Sequence, residues 1–241
     1  MKIQMRKHLV SAAFAGVILS GLGGCATTES NPNDPFESFN RAMLAVNDGI
    51  DVVVKPVAQG YDAAAPLPVK AGIGNFFGNL WDVLMAVNNL LQGKGGQGFS
   101  DIGRVLINST IGIGGVFDVA SEMGLEKHTE DFGQTMGVWG IDEGPFFMWP
   151  LIGPRTTRDT FGWAVDSYMD PVWHVDNIAL RNSMVGVRYI DLRATLLQTD
   201  KVVEQAAIDR YIYIRDAYLQ NRRSEIRDGA DNVDCKMSRC Y

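Results

Sequence analysis

The histidines, on which much acid–base chemistry relies, are few in this chain and lie far apart. Apart from His8, the histidines are His128 and His174, and neither belongs to an H-E-x-x-H zinc motif. No G-x-S-x-G nucleophile elbow occurs. Because a Ser–His–Asp triad is assembled from distant positions, a lipid-hydrolysing enzyme stays open as a remote alternative. We expect His128 in a solvated turn and His174 at an interface or packed, so no catalytic residue is assigned.

Metal and nucleotide chemistry also lack the required patterns. The glycine-rich stretch GIGG (112–115) is not a dinucleotide fingerprint, because Phe117 stands where its third glycine is required. Cys235 and Cys240 are too few for a zinc site and no histidine lies near them, so they predict a local disulfide or two free thiols. The sequence therefore predicts no metal and no cofactor.

The N-terminus has the pattern of an export signal. Three basic residues within the first seven precede an apolar run from about Leu9 to Leu22, which predicts a secretory signal peptide over residues 1–24. Without those cations the chain keeps 19 basic and 28 acidic side chains, so its formal net charge changes from -6 to -9. An acidic chain is not expected to bind nucleic acid. Attachment to a membrane must then depend on lipid and apolar surface.

The signal peptide ends in LGGC, which resembles the lipobox of bacterial lipoproteins. This resemblance implies cleavage before Cys25 and acylation of that cysteine; the alternative is an ordinary signal peptide with an unmodified Cys25. An alanine follows the cysteine, which in lipoproteins is typical of export to the outer membrane. We therefore expect a lipidated tether over 25–33, a folded domain over 34–222 and a polar tail over 223–241.

The elements that position the remaining residues are predicted to be helices. Apolar residues recur at steps of three and four from Phe36 to Val57, which indicates a helix whose stripe is core and whose start Asp34-Pro35 caps. Similar spacing predicts a helix from Val69 to about Gln92 and further helices beyond residue 154. One of these is expected to run unbroken through DKVVEQAAIDRYIYIRDAYLQNRR (200–223). The predicted class is all-α.

The stretch GPFFMWPLIGP (144–154) does not fit this helical pattern. It is apolar, rich in proline and far shorter than the ~20 residues that cross a bilayer. Four of the five tryptophans lie around it, and tryptophan favours membrane–water interfaces. A tryptophan-rich core is the alternative, but with the lipobox we favour a lipid-facing surface. These tryptophans are Trp139, Trp149, Trp163 and Trp173.

Five segments resemble the MlaA (VacJ) family of outer-membrane lipoproteins, in order over roughly residues 33 to 222. They read NDPFESFNRAM (33–43), NNLLQGK (88–94), GRVLINSTIGIGGVFDVA (103–120), EDFGQTMGVWGIDEGPFFMWPLIGPRTTRD (130–159) and DRYIYIRDAYLQNR (209–222). The resemblance implies a single domain of curved amphipathic helices that forms a ring with a central amphipathic channel, lying in the inner leaflet of the outer membrane. It also implies association with a trimeric porin.

The resemblance further implies a transporter that is not an enzyme. Such a protein takes phospholipids from the outer leaflet and passes them to a periplasmic carrier, which maintains the lipid asymmetry of the outer membrane. A structural lipoprotein that scaffolds the envelope without lipid cargo is the alternative. The segment 133–154 matches the family's loop beside the channel, with glycines that act as hinges or as turns. The lipid-facing or channel residues expected there are Gly137, Trp139, Gly140, Gly144, Phe146, Phe147, Trp149 and Ile152.

Overall fold

The computed structural model of the protein describes residues 34–228. The predicted signal peptide, the tether with Cys25, and the tail with Cys235 and Cys240 lie outside the described residues. The prediction of a mostly helical single domain is confirmed. The α-helices are α1 Glu37–Ala64, α2 Leu67–Leu91, α3 Gly95–Thr110, α4 Val119–Glu122, α5 Phe132–Val138, α6 Thr157–Met169, α7 Ile178–Thr195, α8 Leu197–Ala206 and α9 Arg210–Ile226, with a 3-10 helix at Pro171–His174.

The apolar stretch that interrupts the helical pattern forms a β-hairpin. Strands β1 (Phe146–Trp149) and β2 (Gly153–Thr156) pair antiparallel, with Phe146 opposite Thr156 and Trp149 opposite Gly153. The turn between them needs positive φ at Leu151 (65°) and at Gly153 (87°), and glycine adopts that conformation without a steric penalty. The glycines and prolines that exclude a helix here therefore allow a tight hairpin.

Side-chain caps decide where several helices begin. Carboxylate, amide or hydroxyl oxygens accept the free backbone N–H groups of the first turns, which stabilises the helix starts. The prediction of one helix over 200–223 is wrong, because Asp209 accepts from the N–H groups of Tyr211 and Ile212 and starts α9 anew. The capping residues are Asp118, Asp131, Thr156, Asp170, Asn177 and Asp209.

The predicted cap at Asp34 is also wrong. No side chain caps α1. The Asp34 carboxylate is buried, where it accepts the Tyr211 hydroxyl and the Arg215 guanidinium (3.0 Å) from α9. Burial and the neighbouring carboxylate raise the pKa of Tyr211, so its hydroxyl stays protonated and donates. The first residue of the domain thus ties the two ends of the described chain together, and α9 runs to Ile226, beyond the expected boundary at 222.

The contacts between elements close into a ring. Helix α1 packs on α7, α7 on α2, α2 on α5 and α5 on α9. Helix α9 contacts β2, and β1 returns to α1. Within this ring α2 and α3 form a tightly packed antiparallel pair, and α6 packs along α5. The cyclic order of contacts agrees with the ring that the family resemblance implies.

The interior of the ring is unusually polar. Among the described residues, buried polar and charged side chains outnumber buried apolar ones, and the apolar core cluster is small. The expectation that the α1 stripe is core is wrong for most of it, since five of its seven residues are exposed. Those five are Phe36, Phe39, Val46, Val53 and Val57. Because buried polar groups must be hydrogen-bonded, a network of charges holds the ring together.

Two buried arginines are the centres of this network. Arg104 of α3 is 0% exposed and donates to the Asp118 carboxylate (2.9 Å) and to the carbonyl of Leu125 (2.6 Å), which joins α3 to α4. Arg222 of α9 donates to Asp131 (2.7 Å) and lies 3.1 Å from the Asp159 carboxylate. Burial alone would raise the pKa of Asp159, but the charge of Arg222 lowers it overall, so the carboxylate stays ionised.

Replacing Arg222 tests whether this network stabilises the fold. Arg222→Met removes one of the two arginines at the buried Asp159 carboxylate and the arginine that pairs with Asp131, and it is expected to lower the free energy of unfolding by about 3–5 kcal/mol. Arg223 is the matched control, because it is half-exposed and its ionic partner among residues 34–228 is the partly exposed Glu143. Arg223→Met should cost less than about 1 kcal/mol. Urea denaturation of the full chain in detergent compares the two, and equal losses would contradict this role of Arg222.

Asp166 of α6 gives the fold a measurable pH dependence. Burial raises the pKa of this carboxyl from 3.8 to about 6, although it accepts the N–H of Phe132 at 2.9 Å. The folded state therefore binds its proton more tightly than the unfolded state, so this group adds stability at acid pH and loses it as the pH rises through 6. Between pH 7 and pH 5 it should add about 1.4 kcal/mol.

Asp166→Asn removes this titration. The difference in unfolding free energy between wild type and variant should shift by that amount in favour of wild type as the pH falls from 7 to 5. Urea titrations at both pH values measure the shift. A difference that does not change with pH would show that Asp166 is ionised throughout.

Candidate functional site

The exposed surface of the ring is strongly apolar. Large apolar side chains are exposed on α1, α2 and α3, on the loop after α3, and on α6 and α7. Val53 of α1 is 69% exposed, and Leu151 in the turn of the hairpin is 56% exposed. Soluble monomers rarely expose contiguous apolar patches of this extent. No helix within 34–228 combines the length and the apolarity needed to cross a membrane. Further exposed residues are Val52, Leu67, Phe99, Leu106, Ile111, Ile113, Phe117, Phe161 and Ile178.

An amphipathic cavity of about 790 Å³ lies between α1, α8, α9 and the hairpin. Apolar side chains such as Val52, Val203 and Ile214 form one part of its wall, and charged side chains of α1, α8 and α9 form the other. Pro154 of β2 closes it on the side of the hairpin. A wall of this kind can accommodate a molecule that has both a charged and an apolar end.

The hairpin presents two different faces. Phe146 and Met148 point inward and pack with Tyr211, while Phe147 and Trp149 alternate to the outer side, as the period of a strand requires. The Phe147 ring stacks on Phe36 of the chain start with centroids 4.9 Å apart. The hairpin therefore lies between the apolar core cluster and an aromatic outer surface.

Two asparagines of α1 hold the hairpin in place. The amide of Asn40 donates to the carbonyl of Phe146 (3.0 Å) and accepts the N–H of Met148 (2.8 Å). Two turns further along the same face, Asn47 repeats the arrangement with the carbonyl of Trp149 (3.0 Å) and the N–H of Leu151 (2.8 Å). Each amide satisfies a donor and an acceptor of a strand edge, as a neighbouring strand would.

The expected lipid-facing residues are only partly brought together. Phe146 is 3% exposed and belongs to the core cluster, so the expectation that it faces lipid is wrong for this residue. Phe147, Trp149 and Ile152 are half-buried around the exposed hairpin tip. Trp139 is half-exposed at the end of α5, where its indole donates to the carbonyl of Leu91 at 3.2 Å.

The three glycines of this region have different roles. Gly140 and Gly144 have φ of 87° and 66° and occupy turns. Gly137 lies within α5, where an added methyl group would meet Ile226 at 2.9 Å, so it allows close packing against α9. None of these roles is itself a hinge, and hinge motion at these positions stays a prediction. Glu143, which precedes the hairpin, pairs with Arg223 at the surface.

The other tryptophans are dispersed. The Trp149 indole donates to the hydroxyl of Thr160 at 2.9 Å, and the Arg155 guanidinium lies 5.6 Å from the Trp163 ring centroid. Trp173 is exposed in the 3-10 helix. Each of these tryptophans thus has different neighbours, so the four do not form a single tryptophan core.

The histidines form no catalytic arrangement in the described part of the chain. His128 is half-buried and its Nδ1 lies 2.8 Å from the Asp101 carboxylate, so the expectation of a solvated turn is wrong there. The Nε2 of exposed His174 lies 2.8 Å from the carbonyl of Tyr168. Within residues 34–228 no group of three acidic, histidine or cysteine side chains has the geometry to hold a metal ion.

Sequence reasoning missed the residues that shape the cavity and hold the hairpin. Asn40 and Asn47 lie seven positions apart, which is two helical turns and hence one face of α1. Asp48, Asp51 and Lys55 interrupt an otherwise apolar helix at the same kind of spacing. Polar residues that repeat along one face of an apolar helix were the available signal.

A helical ring with an apolar exterior, a charged interior and an amphipathic cavity defines a lipid-interface protein. The family model described as MlaA lipoprotein matches residues 32–225. Relatives named intermembrane phospholipid transport system lipoprotein MlaA are 31% identical over 231 residues in Haemophilus influenzae and 33% identical over 232 residues in Escherichia coli K12. These alignments cover 92% of both chains in the first case, and 94% of this chain and 91% of the relative in the second. The chain belongs to the MlaA lipoprotein family.

The fold agrees with this membership. A solved structure from work on the structural basis for maintenance of bacterial outer membrane lipid asymmetry superimposes with a TM-score of 0.70 at 32% identity. It matches 80% of this chain and 98% of the solved chain. The likeness therefore extends over most of this chain and nearly all of the solved one.

Replacing Asn47 tests the attachment of the hairpin. Asn47→Ala removes the acceptor for the Leu151 N–H, so that amide should exchange its hydrogen up to about tenfold faster. The Met148 amide serves as an internal control, because Asn40 accepts it independently. Asn182→Ala, at an exposed position of α7, is the matched variant. Hydrogen exchange read at single residues measures both amides, and an unchanged Leu151 would contradict the attachment.

Proposed function

We propose that this chain is an outer-membrane lipoprotein that carries phospholipids from the outer leaflet towards a periplasmic carrier. The observation that carries the proposal is the inverted distribution of side chains, apolar outside and charged inside, around an amphipathic cavity. Its curated relatives are named as lipoproteins of a phospholipid transport system rather than as enzymes. Retrograde transport of this kind would maintain lipid asymmetry.

Membrane attachment in this proposal has two parts. Acylation of Cys25 anchors the chain, because each buried CH₂ of an acyl chain contributes about 0.8 kcal/mol. The tether from Cys25 to Asp34 spans at most about 30 Å when fully extended, so the ring stays at the membrane that holds the anchor. The exposed apolar side chains of α1 and α7 then bury themselves in the inner leaflet of the outer membrane.

The path for lipid in this proposal runs beside the hairpin. The headgroup enters the charged part of the cavity while the tails follow its apolar wall and the aromatic outer face. The hairpin tip with Leu151 and Ile152, together with Phe147, Trp149 and Trp139, contacts lipid. The turns at Gly140 and Gly144 let the hairpin move as a unit.

Two protein partners complete the proposal. A trimeric porin holds the ring in the membrane, and a periplasmic lipid carrier receives the cargo. The exposed apolar surface supplies area for the first contact. Purification from the native outer membrane in mild detergent, followed by mass spectrometry of lipids and proteins, tests both the cargo and the porin.

The outcomes of that purification separate the alternatives. Phospholipid together with a porin trimer is the expected result. Porin without phospholipid would favour a scaffold that carries no cargo. Lysophospholipid or free fatty acid that accumulates with time would indicate a hydrolase, and His128 and His174 would then be the residues to replace.

A photo-crosslinking residue at the hairpin tip or at the end of α5 gives a local test. At Leu151 or Trp139 it should label phospholipid several-fold more than at Asp216, which is exposed on α9 and pairs with Arg215. The reason is that position 216 lies beside Arg215 on an exposed polar part of α9, outside the apolar surface. Labelling of full-length protein in native membranes is quantified by mass spectrometry. Equal labelling at all three positions would refute a lipid-facing hairpin.

A further inference from the structure

The charged wall of the cavity contains both signs of charge. Four carboxylates and two cations line it, so acidic groups are in surplus even when the neighbouring Arg193 is included. A wall with this balance repels a ligand that is purely anionic and attracts one that also carries a positive charge. The carboxylates are Asp48, Asp51, Asp200 and Glu204, and the cations are Lys55 and Arg210.

Most of these charges are already engaged. Arg193 of α7 holds Asp51 at 2.7 Å and Asp200 at 2.5 Å, and it is mostly buried. These contacts join α7, α1 and α8 and form the rigid part of the wall. Lys55 adds longer contacts to Asp200 (3.3 Å) and to Glu204 (3.4 Å).

The pair Asp48–Arg210 differs from the contacts of Arg193 in being open to solvent. Its atoms approach to 2.5 Å across the cavity, from α1 to the first turn of α9, yet the two side chains are 48% and 46% exposed. Within the described residues each is the only ionic partner of the other. Solvent-exposed pairs of this kind exchange partners at little cost. Apolar Val52 and Tyr213 lie along the same cavity, where acyl chains have room.

We propose that Asp48 and Arg210 are the headgroup site and that they select zwitterionic phospholipids. The phosphate of the headgroup takes the Arg210 guanidinium, and its ammonium group takes the Asp48 carboxylate, so both charges of the open pair are satisfied again. An anionic headgroup without an ammonium group satisfies Arg210 but leaves Asp48 unpaired beside a phosphate. This inference rests on the proposed function, since it names the lipid class that the same cavity accepts.

The test compares two lipids that differ in headgroup alone. Full-length protein in detergent is incubated with equal amounts of dioleoyl phosphatidylethanolamine and dioleoyl phosphatidylglycerol, separated by size exclusion and analysed by lipid mass spectrometry. Wild type should retain about twofold to fivefold more of the ethanolamine lipid, the effect of one half-exposed charge contact. Asp48→Asn should bring the ratio close to one without lowering total lipid, while Arg210→Gln should lower the binding of both lipids.

The matched control is Asp62→Asn. Asp62 forms a half-exposed pair with Lys70 at 2.7 Å, outside the cavity, so its removal should leave the lipid ratio as in wild type. A thermal melt of each variant verifies that it is folded. If wild type binds lipid without headgroup preference, or if Asp48→Asn keeps the preference, the headgroup site is refuted and the proposed function stands. If wild type binds neither lipid, both fail.

Discussion

The ring depends on buried charge pairs that join different elements. Arg222 joins α9 to the start of α5 and to α6, Arg104 joins α3 to α4, and Asp34 joins the chain start to α9. A hydrophobic core cannot substitute for these contacts in the lipid environment that we propose, because lipid tails solvate apolar side chains as well as a core does. Polar groups, in contrast, have no partner in hydrocarbon and must find one within the ring. The contacts that fix how the elements pack therefore lie among the buried polar groups.

The hairpin follows from the same constraint. Two short strands expose backbone donors and acceptors along their edges, and a buried edge without partners is costly. Asn40 and Asn47 satisfy these groups from a helix, so no third strand is required. These four hydrogen bonds act together with the burial of Phe146 and Met148 in the apolar core cluster, so both polar and apolar contacts hold the hairpin.

The sequence predicted the elements better than their surroundings. Apolar spacing located α1 and α2 closely, because that spacing depends on helix geometry alone. The apolar spacing does not distinguish a core from lipid as the surroundings of Val53 or Val57, since both environments select the same residue types. The hairpin at 146–156 escaped prediction because its strands have four residues each and two of its prolines mimic a loop. Phe146 was misplaced for the same reason, as the in–out alternation becomes visible only once a strand is recognised. The ring order required contacts such as Arg222 to Asp131, 91 residues apart, which no local pattern encodes.

Helix α1 shows how one segment can serve three environments. Its face with Asn40, Met43 and Asn47 meets the hairpin, and the face with Asp48, Asp51 and Lys55 lines the cavity. The remaining face, with Val46, Val53 and Val57, is exposed. Because residues four apart lie on one side of a helix, each face of α1 can contact a different environment. A displacement of α1 would change the hairpin contact and the charged wall together. The hairpin contact and the charged wall are therefore joined through a single helix.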